Sequence, residues 1–188
     1  VSGEEQGLTS AEAFDALVRQ HQASVFRLAR LLTQDPADAE DVLQQTFFRA
    51  WRAREQYRGE ASARTWLLTI TRNTALSLRS RRGHDPLAAA TDADPDTITD
   101  LGVRAGWGAV SPEDLAIRAE QRHDLRTAFA RLDSSAREIL TLRDFEGLSG
   151  EDTAALLGLS LPAMKSRLHR ARLALAAQLQ KESPHATR

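Results

Sequence analysis

The sequence predicts an all-α protein made of two small helical domains joined by a flexible acidic linker. Three observations carry this. Ala, Leu, Arg and Glu abound while aromatics make up only 5% of the residues, a composition typical of helical proteins. Apolar residues recur three and four apart through most of 10–82 and 113–182, the period of a helix with one buried side. Between these blocks, residues 83–112 lose the period, and Ala, Asp, Gly and Thr surround the run DADPD. Such a stretch reads as a mobile tether. The expected organisation is a disordered tail 1–9, a first domain 10–82, the linker 83–112, a second domain 113–182 and a frayed tail 183–188.

The 188 residues carry a formal net charge of −1, so any affinity for nucleic acid must come from local patches. There is no Cys, which excludes disulfides and zinc–thiolate sites. The first ten residues, VSGEEQGLTS, lack the apolar core of a signal peptide, and no run of 18 apolar residues exists to span a bilayer. A cytoplasmic protein with no membrane insertion is expected. Paired carboxylates, a metal-spaced His cluster and a Gly-rich phosphate loop are all missing from the pattern. An enzyme is therefore not expected, and neither is a cofactor or a metal.

In the first domain, a helix should begin near Ser10 and bury Phe14, Leu17, Val18, Val25, Leu28, Ala29 and Leu32. His21 on that side reads as a packed core residue. Asp35 and Pro36 suit the N-cap and first position of a second helix, with Asp38, Glu40 and Asp41 at its positive end. Its sequence, DAEDVLQQTFFRAW, gives an apolar face of Val42, Leu43, Phe47, Ala50 and Trp51. Gln44, Phe48, Arg49 and Arg52 fall outside it. Phe48 beside such polar neighbours reads as a docking surface or as the edge of a wide core stripe. Gly59 breaks the chain and Ser62 starts a third helix that runs to about Arg82. Trp66, Leu67, Ile70, Thr74 and Leu78 mark its inner side. No acid interrupts Ala61 to Arg82, while Arg64, Arg72, Arg79, Arg81 and Arg82 add positive charge. Asn73, Thr65, Thr69 and Thr71 supply hydrogen-bonding groups that can reach bases or phosphates. Basic, aromatic and small polar side chains together suit single-stranded DNA, although Trp66 fits a core role better than base stacking.

Within the linker, Trp107 is read as packing against one domain. Helices resume at Ser111-Pro112-Glu113, with Leu115, Ala119, Leu125, Ala128, Phe129 and Leu132 apolar, and turn at Asp133-Ser134. Ser135 with Glu138 resembles a capping box. Ile139, Leu140, Leu142 and Phe145 should be buried, and Gly147 should end that element. The next stretch, LSGEDTAALLGLSLPAMKSRLHRARLALA, reads as a short helix, a turn and a longer basic helix. Ser149 and Asp152 form a capping-box-like start, Gly158 suits a left-handed stop, and Ser160 with Pro162 opens the second helix. Met164, Leu168, Ala171 and Leu175 make one buried stripe. Lys165, Arg167, His169, Arg170 and Arg172 occupy the other faces, without an acid from Ser160 to Gln180. A helix-turn-helix lays such a helix in the major groove, where Arg and Lys meet guanine edges or phosphates. A plain solvated surface is the competing account of the same pattern.

Four segments, in order, resemble those of an extracytoplasmic-function (ECF) sigma factor, a promoter-recognition subunit of bacterial RNA polymerase. DAEDVLQQTFFRAW resembles the helix that docks on the polymerase clamp, and YRGEASARTWLLTITRN the minus-10 recognition and melting segment. LDSSAREILTLRDFEGLSGEDTAALLGLS resembles the start of region 4, and LPAMKSRLHRAR the minus-35 recognition helix. The resemblance implies that Asp41, Gln44, Phe48, Arg49 and Trp51 bind core polymerase. It implies minus-10 contacts to the unpaired strand by Arg58, Arg64, Thr65, Trp66, Thr69, Arg72 and Asn73. It implies minus-35 duplex contacts by Ser160, Lys165, Ser166, Arg167, His169 and Arg170. Arg137, Arg143 and Phe145 would lie where region 4 meets the polymerase flap, and an anti-sigma factor is an expected partner. Gln45 stands where many relatives carry Glu, Ala63 where an aromatic is common and Thr69 where a base is common. Those departures bear on one clamp contact and on the base accepted at minus 10. Two other accounts of the residues compete with the resemblance. A stand-alone helix-turn-helix regulator would bind duplex tightly without polymerase. A helical adaptor with no DNA role would tolerate charge reversal at Lys165 and Arg167.

Overall fold

Short-range signals set most helix boundaries in the computed structural model, which describes residues 10–33, 35–82 and 122–182. The linker expected over 83–112, Trp107, both tails and the helix start at Ser111 lie outside the described residues. Helix α1 spans Ala11–Thr33 and α2 spans Pro36–Ala53. Between them Asp35 caps α2, its carboxylate accepting from the Asp38 amide at 2.9 Å with Pro36 next. A single 3₁₀ turn, Arg54–Gln56, follows α2. Gly59 then takes φ +72°, a left-handed conformation that costs glycine little. Ser62 caps α3, Ala63–Arg81, by accepting from the Thr65 amide at 3.1 Å.

These three helices pack on one another. Phe14, Leu17, Val25, Ala50 and Leu67 form one buried cluster, with Trp51, Trp66 and Phe47 half-buried against it. The inner side of α3 is broader than its sequence pattern suggests. Leu68, Thr71 and Ala75 are buried together with the expected Leu67 and Thr74. A second alteration concerns α1, where Arg27 and Arg30 are buried beside Leu28 and Ala29.

The second bundle begins with a helix, α4, over 122–130. Helix α5, Ser134–Leu140, is capped by Asp133, which accepts from the Ala136 amide at 2.8 Å. The expected capping box at Ser135 is thus replaced by a cap two residues earlier, and Glu138 turns to other partners. A π-helical turn, Thr141–Phe145, continues α5; its closing bond runs from the Glu146 amide to the Thr141 carbonyl at 2.8 Å. Helices α6, Gly150–Leu157, and α7, Leu161–Glu182, complete the fold. Ser149 accepts from the Asp152 amide at 2.9 Å and donates its hydroxyl to the Asp152 carboxylate at 2.8 Å. Gly158, at φ +66°, stops α6, and Ser160 accepts from the Ala163 amide at 3.3 Å as α7 begins. Met164, Leu168 and Ala171 are buried and Leu175 is half-buried, so α7 rests on the expected stripe.

The fold is all-α, as expected, but the two bundles share one hydrophobic core. A continuous buried cluster joins Leu28, Ala29, Leu32 and Leu68 of the first bundle to Phe129, Ile139 and Leu142 of the second. Helix α1 lies directly against α5. Among the described residues, no helix is long and apolar enough to cross a membrane.

Candidate nucleic-acid interface

The α7 surface follows from its buried stripe. Because Met164, Leu168 and Ala171 point inward, Lys165, Ser166, His169 and Arg170 are exposed together, one turn apart on the opposite side. Ser160 is exposed at the start of the helix. Arg167 differs from this group. It is half-buried, and its Nη2 donates to the Ser135 carbonyl at 3.1 Å and lies 3.6 Å from Glu138 Oε2. Arg172 forms a two-pronged contact with Asp144 at 2.5 and 3.1 Å. Hydrogen bonding to Asp144 holds its pKa above the ordinary guanidinium value.

On α3 the expected DNA-contacting residues separate into three groups. Arg58, in the loop before the helix, and Asn73 are exposed. Thr65 is buried instead of open, its hydroxyl 2.9 Å from that of Ser62; as folded it packs against the Ser62 cap rather than standing on the surface. The Thr69 hydroxyl donates to the Thr65 carbonyl at 2.9 Å, and that of Thr71 donates to the Leu67 carbonyl at 2.8 Å. These threonines satisfy their hydroxyls on the preceding turn, and Thr71 is fully buried. Trp66 is half-buried, its ring 4.9 Å from that of Tyr57, while the Tyr57 hydroxyl donates to the Ala61 carbonyl at 2.6 Å. That pair folds the 57–62 loop back on the helix. Arg64 and Arg72 form the third group: both reach across to the second bundle.

There they meet two buried acids. Glu146, fully covered, accepts from Arg27 Nε at 2.9 Å and from Arg64. Arg27 also donates to Ser24 Oγ at 3.1 Å. Burial pushes the Glu146 carboxyl up, but hydrogen bonds and charge from Arg27 and Arg64 outweigh this and hold it below the usual carboxylate range. Glu138 accepts from Arg72 Nε at 2.8 Å. The local pattern offered one signal for this network. Arg27 and Arg30 are the only charged residues in the run Val25 to Leu32, whose other members are all apolar.

The expected polymerase-docking residues lie on α2. Asp41, Gln44, Phe48 and Arg49 are exposed, and Phe48 keeps 57% of its surface open. This removes the wide-core account of Phe48. Arg52 lies over its ring, 5.9 Å from the centroid. Trp51 is half-buried, edge-on to Phe14 at 5.1 Å and covered by Arg54 at 3.8 Å, so it supports the helix more than it offers a surface. Asp41, Gln44, Gln45 and Arg49 line an open groove of about 360 Å³ between α2 and α3. In the flap-facing set, Arg137 is only 1% exposed, and burial holds its pKa down against the charge of Asp133. As folded, it is a core residue, not a surface contact. Arg143 donates to the Leu148 carbonyl, and Phe145 stacks edge-on with Phe129 at 5.5 Å.

Two family models match the chain. Residues 17–84 match the family Sigma-70 region 2, and residues 122–175 match Sigma-70, region 4. The chain is 36% identical over 171 residues to the RNA polymerase sigma-H factor of Pseudomonas aeruginosa, covering 89% of this chain and 86% of that protein. It is 32% identical over 173 residues to the ECF RNA polymerase sigma-E factor of Salmonella typhimurium, covering 90% and 87%. Among solved structures it is similar to CnrH, determined in complex with the cytosolic domain of CnrY. The identity is 26% and the TM-score 0.59, over 92% of this chain and 90% of that one.

Proposed function

The chain belongs to the ECF-type RNA polymerase sigma factors, non-enzymatic proteins that direct core polymerase to promoters, and we propose that it divides promoter recognition between α3 and α7. Helix α7 lies in the major groove of the minus-35 duplex and contacts it with Ser160, Lys165, Ser166, Arg167, His169 and Arg170, through base edges and phosphates. The carrying observation is the acid-free face of α7, presented outward by a buried Met164–Leu168–Ala171 stripe. Its first turns are held by the Gly158 stop and the Ser160 cap; a helix-turn-helix meets base edges with the N-terminal residues of its second helix, which supports this reading.

The loop before α3 and its first turns take the minus-10 strand. Arg58, Arg64, Arg72 and Asn73 provide phosphate and base contacts, and Trp66 with Thr65 and Thr69 shapes the pocket that receives an unpaired base. Holding that base offsets part of the unstacking cost, a few kcal/mol as an order of magnitude. Melting therefore needs no nucleotide hydrolysis by this chain. Exposed Phe48, flanked by Asp41, Gln44 and Arg49, is the anchor for the polymerase clamp; a large ring open to solvent at this site matches the residue types that dominate interfaces. Core polymerase sets the spacing of the two domains, so two weak sites act as one strong one. The work is done in the cytoplasm. A regulatory protein partner of the anti-sigma type is part of this reading, since the similar CnrH is solved with a second protein.

The test is to add the purified chain to core polymerase and map run-off start sites genome-wide. Starts downstream of a shared pair of elements are expected. Random initiation, or tight duplex binding by the chain alone with no effect on initiation, would overturn the reading.

A further inference from the structure

Arg172 continues the line of Lys165 and His169 along α7, and the proposed function gives it no contact. At about 100° per residue, it flanks the buried stripe Met164–Leu168–Ala171 on one side, and Arg167 flanks it on the other. Both flanks are tied down. Arg167 Nη2 donates to the Ser135 carbonyl at 3.1 Å, at the start of α5. Arg172 is forked onto Asp144, Nε to Oδ2 at 3.1 Å and Nη2 to Oδ1 at 2.5 Å. Asp144 is itself held. It belongs to the π-helical turn Thr141–Phe145, where i to i+5 bonding aims side chains differently from an α-helix. The Glu146 amide donates to the Thr141 carbonyl at 2.8 Å, the Leu148 amide to the Leu142 carbonyl at 3.0 Å, and Arg143 to the Leu148 carbonyl. The carboxylate therefore stands on a platform fixed by backbone bonds.

The fork is not a burial effect, since 54% of the Arg172 side chain and 33% of the Asp144 side chain stay open. An exposed ion pair contributes little to stability. Its bidentate geometry adds direction, which an apolar stripe lacks because burial is non-directional. Recognition of a base edge needs side chains held to about 10–20°. We infer that the Arg172–Asp144 fork sets the rotation of α7 about its own axis, and that Arg172 is a positioning residue for minus-35 recognition rather than a DNA contact. The inference rests on the role proposed for α7. Opposed ties on the two flanks stop the helix rolling on its stripe. Lys165, Ser166, His169 and Arg170 are thereby presented to the groove at one angle. A guanidinium edge already given to Asp144 is closed to phosphate, and the carboxylate beside it repels phosphate as well.

The experiment uses holoenzyme assembled from core polymerase and the full chain, with duplexes that carry a mapped promoter or its single-base changes in the minus-35 element. Arg172→Ala and Asp144→Asn should each lower the affinity ratio of parent over changed sequences by about tenfold. The double variant should lose no more than either single change, because both remove one interaction. The slope of log K against log salt should not move, since no phosphate contact is lost. Opposite signs would overturn the inference. Arg172→Ala weakening every sequence alike with a shallower salt slope, while Asp144→Asn tightens every one, makes Arg172 a phosphate contact. Unchanged discrimination in both variants overturns it as well. Helical circular dichroism checks folding; should Arg172→Ala not fold, Asp144→Asn, which keeps side-chain shape, decides alone. If the parent holoenzyme does not distinguish the minus-35 sequences, the role of α7 itself falls, and the inference with it.

Discussion

Met164→Ala tests which side of α7 faces inward, and therefore which residues can meet DNA. Met164 is 1% exposed, and a Cβ built on Gly150 would lie 3.3 Å from its terminal methyl. Leu168 and Ala171 continue the same stripe at 7% and 3% exposure. Helix backbone on one side and a glycine on the other leave little freedom for collapse into the space. Truncating a buried Met costs about 2–5 kcal/mol, the transfer term plus a cavity term; close packing around Met164 argues for about 3. For a chain of 150–250 residues each kcal/mol moves the midpoint by about 2–4 °C, so the expected loss is roughly 6–12 °C. The control is Leu173→Ala on the same helix, where the leucine is 57% exposed, and a change within about 0.5 kcal/mol is expected. Urea titrations of the three proteins, followed by circular dichroism, give the comparison directly. Equal destabilisation by the two changes, or less than about 1 kcal/mol from Met164→Ala, would mean that α7 is rotated. Lys165 and His169 would then not form the DNA face.

Phe48→Ala should leave stability within about 0.5 kcal/mol but weaken binding to core polymerase by about 2 kcal/mol, the threshold of an interface hot spot; fluorescence anisotropy with labelled chain measures it, and unchanged affinity would remove Phe48 from the docking surface. Lys165→Ala should weaken holoenzyme binding to every minus-35 sequence alike and lower the slope of log K against log salt by about 0.9, as loss of one phosphate contact requires; a loss confined to one base position would instead make it a base reader. Acid should open the Glu146 contact. Its carboxyl is held below the ordinary range by Arg27 and Arg64, so the unfolded chain binds the extra proton first as pH falls. The contribution is complete above the unfolded value, about 4.3, and is lost as pH drops through the lower folded value. The stability gap between the parent chain and Glu146→Gln, read from urea midpoints, should be constant above about pH 5 and shrink below pH 4; a gap that widens with acid would contradict the ion-pair assignment.

Much of the fold is legible without coordinates because its cues act within one helical turn. Asp35, Ser62, Ser149 and Gly158 each occupy the cap position that their side chains or backbone freedom suggest. The stripe Met164–Leu168–Ala171 obeys the helical period because a helix packed on one side has no other way to bury apolar groups. The family is legible for the same reason, its segments being contiguous in the chain. Where two local cues compete, adjacent sequence is a weaker guide. Asp133 rather than Ser135 caps α5, since both are good caps and tertiary packing selects the register.

What the sequence determined alone is therefore most of the caps of the described helices, the buried stripe of α7 and the family. Only the tertiary structure decided which charges are withdrawn from solvent. Arg27 and Glu146 are 119 residues apart, Arg64 and Glu146 82, and Arg72 and Glu138 66. No period or spacing encodes such pairs, because a charged residue on a helix looks the same to its neighbours along the chain whether water or another domain lies opposite. Burial against a distant surface turns those side chains from solvated cations into one half of an ion pair, and that depends on how the two bundles meet.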